Sequence, residues 1–294
     1  MGAIANLFGY VLNFLYNLVN NYGLAIILFS ILLKLVMLPM SIRQQKSMKK
    51  SAKVQKEMNK LQVKYKNNPE KLNQEVMALY KREKVSPFSG CIVSILQIII
   101  FLSVFYLVSR PLTYMKKVDP QIISDYTQEI TESGENSSYK EIAIIESKSS
   151  EDERVYLNMN FLGLDLSKVP MRNLSDIRVF IIPLLYVIVT FVNIKISTKL
   201  NNKNKEKKEL SDANKKADKD SKDEEKEETL EDQLESMQQM TKSMNYMMPI
   251  MSISIGLIAP LGLSLYWFVS NSLQLIERLV INKVSSNKEN VEEQ

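Results

Sequence analysis

Histidine is absent from the 294-residue chain, and cysteine and tryptophan occur once each, at Cys91 and Trp267. Without histidine there is no imidazole general base and no His-ligated metal, and a lone cysteine excludes an intrachain disulfide. The sequence also lacks a glycine-rich phosphate loop, a serine-centred nucleophile elbow and a repeated acidic metal signature. These absences predict a chain that is not an enzyme and uses no cofactor or metal. Cys91 is expected to pack as a small apolar side chain. Charge is missing from one end as well, since no charged side chain precedes Lys34.

What the chain does have is long apolar runs: 45% of its residues are hydrophobic and 24% charged, and the two kinds are segregated. "NYGLAIILFSILLKLVMLPM" (21–40), "CIVSILQIIIFLSVFYLVS" (91–109) and "VFIIPLLYVIVTFVNIKIS" (179–197) each suit a crossing. About 20 residues of helix cover ~30 Å of hydrocarbon. A fourth run, Tyr246 to Ile276, is too long for one crossing and is interrupted by Pro260 and Gly262, which divide it into two short helices and a tight turn. The expected fold class is an all-α integral membrane protein with five transmembrane helices, at 21–40, 89–109, 179–198, 244–258 and 261–280.

Lysines and arginines set the expected orientation. Arg43, Lys46, Lys49, Lys50, Lys53 and Lys56 follow the first span directly, so the N-terminus is placed outside and 41–88 in the cytoplasm. Alternation then puts 110–178 outside, 199–243 inside, the 259–262 turn outside and the tail 281–294 inside. The acids of the outer loop, among them Glu129, Glu135, Glu141, Glu151 and Asp152, fit that placement. The net charge of +5 is a sum over regions of opposite sign and gives no sign of direct nucleic-acid binding.

Outside the spans, residues 1–20 read as a helix lying on the outer membrane surface, with an uncleaved signal sequence as the alternative. Asn6, Asn13, Asn17 and Asn20 share one face with Tyr10, and Leu7, Val11, Leu15 and Leu18 line another. Residues 41–88 read as a basic antiparallel helical hairpin. Met58, Leu61 and Tyr65 form one stripe and Leu72, Val76 and Leu79 its partner, with Asn68 as a cap and Pro69 in the restarted first turn. The hairpin hangs from joints at Ser41–Arg43 and Ser86–Phe88. Residues 198–236 are almost wholly polar and cannot bury a core, so they are expected to be mostly disordered with some transient helix. A methionine stripe follows (Met237, Met240, Met244, Met247 or Met248, Met251), either a packing face or a soft surface for variable apolar clients. In the outer loop, Tyr139 to Phe161 fits a β-hairpin around "KSSED" and equally fits a disordered acidic loop.

The spans also hold polar residues. Lys34 sits among eighteen otherwise uncharged residues, Gly23 to Met40. A lysine near the centre of a span costs about 2.5–3.5 kcal/mol on insertion scales. Lys34 is about 9 Å by helical rise from the end of its span, so snorkelling to the inner interface is one account of it. Ser30 lies one turn before it, span two carries Gln97, and span three carries Thr190 and Asn193. Span five carries Ser264, Trp267, Asn271 and Gln274 at spacings of three, four and three. Each could be helix–helix glue. Polar residues in four spans at comparable depth suggest instead a shared hydrated groove into which Lys34 opens.

Four stretches, "NYGLAIILFSILLKLVMLP", "NNPEKLNQEVMALYKREKVSPFSGC", "FLGLDLS" and "MMPIMSISIGLIAPLGLSLYWFVSNSLQLIE", make the chain resemble the YidC/Oxa1/Alb3 family of membrane protein insertases in its short five-span form. The resemblance covers most of the chain outside 115–155 and 200–235. It implies a hydrophilic groove open to cytoplasm and lipid and closed outside, which receives client segments and releases their transmembrane helices into the bilayer. The family's groove arginine falls on Lys34, keeping the charge but not the planar donor fork. Client contacts fall near Phe101 and on spans three and five. The implied groove residues are Lys34, Ser30, Gln97, Phe101, Thr190, Asn193, Ser264, Trp267, Asn271 and Gln274. Implied partners are nascent membrane proteins, the lipid bilayer, the Sec translocon and the ribosome or signal-recognition machinery, at a bacterial plasma membrane. Two features depart from the pattern: no lipobox cysteine precedes span one, and the tail "INKVSSNKENVEEQ" is only weakly charged. The rival reading is a small anion transporter or channel using Lys34. It would call for a second polar gate and internal repeats, which the sequence lacks.

Overall fold

The computed structural model describes residues 2–65, 68–83, 89–134, 137–196 and 254–292, and these are mostly helical. The charged loop 199–243, the methionine stripe, most of the expected fourth span and the joint Ser86–Phe88 lie outside the described residues, as does the side chain of Gln97. Two compact units are present, one of Met1–Asn20, Leu28–Tyr156 and Val280–Gln294, the other of Asn21–Ile27 and Leu157–Leu279. Among the described residues three helical stretches are long and apolar enough to cross a membrane: Gly2–Val19, Tyr22–Gln44 and Ile177–Ile196. The first is the helix that the sequence places on the outer surface.

In the first unit, helix α1 (Gly2–Val19) buries Ala5, Gly9, Leu12 and Tyr16, a stripe at helical spacing. That is neither of the two faces expected for it; Leu7, Tyr10, Phe14 and Leu18 are left exposed. The packed face is one of close approach, since a Cβ on Gly9 would come within 1.8 Å of the Tyr114 carbonyl oxygen. Helix α2 (Tyr22–Lys64) runs unbroken for 43 residues. The expected boundary at 40/41 and the joint Ser41–Arg43 therefore fall inside a continuous helix. From Ser41 to Lys64 there is neither Gly nor Pro, and Lys, Gln, Met and Glu favour helix, so nothing local ends it. Pro39 removes one backbone donor without stopping the helix.

The chain turns at Asn68, whose side chain accepts from the Lys71 N–H at 3.1 Å, and α3 (Pro69–Glu83) returns along α2. Leu79 and Val54 are buried there, and Arg82 meets Glu57 at 2.5 Å. Helix α4 (Ser89–Ser109) leads into a π-helical turn, Leu112–Lys116, closed by Lys117 in the left-handed region.

The segment that follows is helical, and neither reading made for Tyr139–Phe161 holds. Helix α5 (Pro120–Glu132) starts at Asp119, whose carboxylate accepts from the Gln121 N–H at 2.8 Å. Helix α6 (Lys140–Lys148) takes up "KEIAIIESK" and buries Ile142, Ala143, Ile144 and Ile145. Its isoleucines are β-prone in isolation, but burial on several sides of a short helix outweighs that preference. Glu141 is buried with them. Its carboxylate accepts from the Thr113 N–H at 2.9 Å and the Thr113 hydroxyl at 2.6 Å, which ties α6 to the π turn. Burial pushes the Glu141 carboxyl above its usual range, against the pull of the Thr113 donors and Arg110.

The second unit is built around a small hairpin, β1 (Asn160–Phe161) and β2 (Leu164–Asp165), paired antiparallel with Phe161 opposite Leu164. Two short 3-10 turns, Pro170–Arg172 and Ile177–Phe180, lead into helix α7 over 181–196. Residues 254–258 are helical, the chain breaks at Ala259–Pro260, and α8 (Leu261–Glu292) follows. The break falls where the proline predicts it, because Pro260 has no N–H to continue the preceding turn. Helix α8 runs through the expected boundary at 280, since no Gly or Pro follows Gly262.

The hairpin region caps two helices. Unpaired N–H groups at a helix start need acceptors, and loop carbonyls supply them. The Tyr22 N–H donates to the Asn158 carbonyl at 3.0 Å, and those of Leu261 and Gly262 donate to the Lys168 and Leu166 carbonyls at 2.9 Å. Asn21 accepts from the Leu24 N–H and donates to the Asn160 carbonyl. A Cβ on Gly23 would sit 2.5 Å from the Phe161 ring, and one on Gly262 would sit 3.5 Å from Tyr22. The starts of α2 and α8 are thereby packed together beneath one loop.

Candidate functional site

Three of the candidate groove residues with described side chains lie in the first unit. Ser30 is buried and Lys34 half-buried, on successive turns of α2, and neither is without a partner. Phe101 is exposed on α4. Nearby, Ser103 is fully buried and returns its hydroxyl to the Ile99 carbonyl of its own helix at 2.8 Å.

The other six lie in the second unit, and most are held by hydrogen bonds or packing. Thr190 is buried and donates to the Tyr186 carbonyl at 2.8 Å, which satisfies it within α7. Ser264, fully buried, donates to the Gly256 carbonyl at 3.0 Å and so closes the turn at Pro260. The Trp267 ring stands 6.2 Å from that of Tyr186, centre to centre. Asn271 and Gln274 are half-buried on the same face of α8.

Asn193 is the exception. Its Nδ2 donates to the Asn271 carbonyl at 3.0 Å, bridging α7 and α8, while its Oδ1 is buried without a partner among the described residues. A buried carbonyl left dry costs about 1–3 kcal/mol, so this oxygen calls for a donor beyond the described residues. Two residues absent from the sequence-based set join it. Arg278 donates from Nη1 to the Asn193 carbonyl at 3.3 Å, and Glu277 is buried beside it in sequence. The signal for them was present, since residue 277 continues the 264, 267, 271, 274 spacing by three more. Among the described residues no group of three or more His, Cys, Asp or Glu could hold a metal ion.

The sequence model of the family described as "60Kd inner membrane protein" matches residues 14–289, nearly the whole chain. The chain belongs to this family. It is thus a multi-pass membrane protein of the YidC/Oxa1 insertase family, in which the alternation of apolar runs and basic loops has its explanation.

Individual relatives agree over a shorter stretch. A protein from Syntrophus aciditrophicus named "Membrane protein insertase YidC" is 48% identical over 94 residues, which are 32% of this chain and 17% of the relative. One of the same name from Caldanaerobacter subterraneus is 40% identical over 105 residues, 36% of this chain and 51% of the relative. A third, from Geobacter sp. (strain M21), is 42% identical over 104 residues, 35% and 19% of the two chains. The matched segments thus span at most about half the length of these relatives.

Proposed function

We propose that the chain is an insertase that receives client segments in a positively charged intramembrane groove and releases their apolar helices into the bilayer, with no covalent chemistry. The observation that carries this reading is the family match across residues 14–289. The Asn193 oxygen, buried without a partner among the described residues, is consistent with it, as water in a hydrated groove would supply the missing donor.

In this reading five spans enclose the groove. The N-terminus lies outside, the α2–α3 hairpin and the C-terminus lie in the cytoplasm, and the protein sits in a bacterial plasma membrane. A client's translocated tail or hairpin enters from the cytoplasm, and its acidic residues are drawn toward Lys34. A charge pair at 4 Å gains about 4 kcal/mol at an effective dielectric of 20. Polar groups at Ser30, Gln97, Asn193, Asn271 and Gln274 stand in for water along the path, while Thr190 and Ser264 shape the helices that carry it. The fourth span, expected over 244–258, is shorter than the ~20 residues of an ordinary crossing, which thins the bilayer locally. The client's apolar helix then leaves past Phe101 and Trp267 into lipid, driven by the hydrophobic effect. Nascent membrane proteins are the clients, delivered with or without the Sec translocon and signal-recognition machinery.

Photo-crosslinking from residues 97 and 267 during synthesis of a membrane-protein client tests the path. Adducts at both positions that disappear once the client is integrated are the expected result. A client that reaches the membrane without ever touching either position contradicts it.

A further inference from the structure

The tip of the hairpin that caps α2 and α8 is built in an unusual way. Leu162 and Gly163 connect β1 to β2 with φ of 52° and 78°, so both residues are left-handed, as in a two-residue type I′ turn. Gly163 suits that backbone. Leu162 does not, because a Cβ crowds the following carbonyl there, and such turns normally take Asn, Asp or Gly. The leucine is also 87% exposed, so no packing among the described residues accounts for it.

Its position indicates what covers it. Asn160 and Phe161 on one side of the tip are tied to Asn21 and Gly23 at the start of α2, and Leu166 is tied to Gly262 at the start of α8. The hairpin therefore lies at the level where two apolar helices enter the bilayer. The chain leading from it into α7 carries more exposed apolar side chains, Met171 (52%), Leu174 (65%) and Ile177 (81%). Lys168, Arg172 and Arg178 alternate with them, Arg178 being paired with Asp176 at 2.8 Å. Apolar side chains interleaved with basic ones at a span entrance suit the boundary between headgroups and acyl chains, above all where lipids are anionic.

We propose that Leu162, with Leu174 and Ile177, inserts into the headgroup–acyl boundary of the bilayer and anchors the hairpin that caps α2 and α8. The occupant of this surface is lipid. Water-filled surroundings would favour Asn at position 162, whereas a lipid boundary favours an apolar tip in spite of its backbone.

The test uses the full chain in nanodiscs of phosphatidylglycerol and phosphatidylethanolamine, where both leaflets are accessible. The outcome then depends neither on the proposed orientation nor on insertase activity. With Cys91→Ser as background, Leu162→Cys and, separately, Leu174→Cys are labelled with an environment-sensitive fluorophore. Quenching by lipid carrying a nitroxide near its headgroup is compared with quenching by aqueous iodide. The expected result at both sites is strong nitroxide quenching and iodide quenching reduced several-fold from that of the free dye. Iodide quenching equal to the free dye, with none from the nitroxide, overturns the proposal. Shielding from both quenchers also overturns it, since the tip would then be covered by protein.

Discussion

Replacing Gly9 with alanine sets two effects against each other. In an open helix the change would stabilise α1 by about 1 kcal/mol, because alanine has the higher helix propensity. Here the new Cβ would lie 1.8 Å from the Tyr114 carbonyl oxygen and 2.6 Å from its carbon, both backbone atoms that no rotamer change can move. To bring the nearer contact even to 3.0 Å, α1 must retreat by about 1.2 Å. A gap of 0.5–1 Å already forfeits about a quarter to a half of a dispersion contact, and Ala5, Leu12 and Tyr16 all lose theirs together. Overpacking costs about 1–3 kcal/mol in well-packed sites, so the clash outweighs the propensity gain. Amide hydrogen exchange of the protein in nanodiscs reads the result: residues 10–17 should exchange several-fold faster in Gly9→Ala, while Gly2→Ala, which meets nothing within 4 Å, should not change. Slower or unchanged exchange in Gly9→Ala would refute the close-packing account of α1.

Three further outcomes are expected. Because the folded value of Glu141 is raised, the packing of α6 is firmest below the ordinary glutamate range and weakens as pH rises from there through the raised value. Glu141→Gln should abolish that dependence in a pH series of hydrogen exchange, and a series unchanged by the substitution would contradict it. Glu141→Ala leaves the Thr113 N–H without its acceptor and should cost about 1–3 kcal/mol at any pH. Asn193→Leu should change stability by less than about 1 kcal/mol, since an interhelical hydrogen bond in a membrane averages about 0.6 kcal/mol, yet reduce client insertion in the same preparation. Unaltered insertion would leave Asn193 with a purely structural role.

What could be read from the sequence was what depends on neighbours in the chain. The Asn68 cap, the Pro260 break and the apolar runs are local, and the structure has the first two where expected. The start of α5 is legible too, in Asp119 as a cap followed by Pro120 in the first turn. The packed face of α1 was missed because Ala5 and Gly9 add nothing to a hydrophobic stripe; their value is smallness, which only the Tyr114 backbone reveals. Helix α6 was misread because its isoleucines carry the β preference of the residue type and not the burial that decides. The capping role of the 157–168 region rests on backbone carbonyls reaching remote helices, and backbone acceptors leave no trace in residue type. Within the candidate site, the stripe on α8 was visible, but which members are satisfied locally required coordinates. Thr190 and Ser264 answer to their own segment, whereas one oxygen of Asn193 does not.

The central claim is that a positive charge within the first apolar run draws client acids into the membrane, and Lys34 tests it most directly. In cells depleted of the wild-type protein, protease protection would follow one client whose translocated tail carries acidic residues, with Lys34 replaced in turn by Arg, Ala and Glu. Loss of an attraction of about 4 kcal/mol predicts insertion close to wild type for Lys34→Arg, impaired for Lys34→Ala and lowest for Lys34→Glu. A Lys34→Glu protein, present at normal levels, that inserts the client as well as wild type would contradict the account.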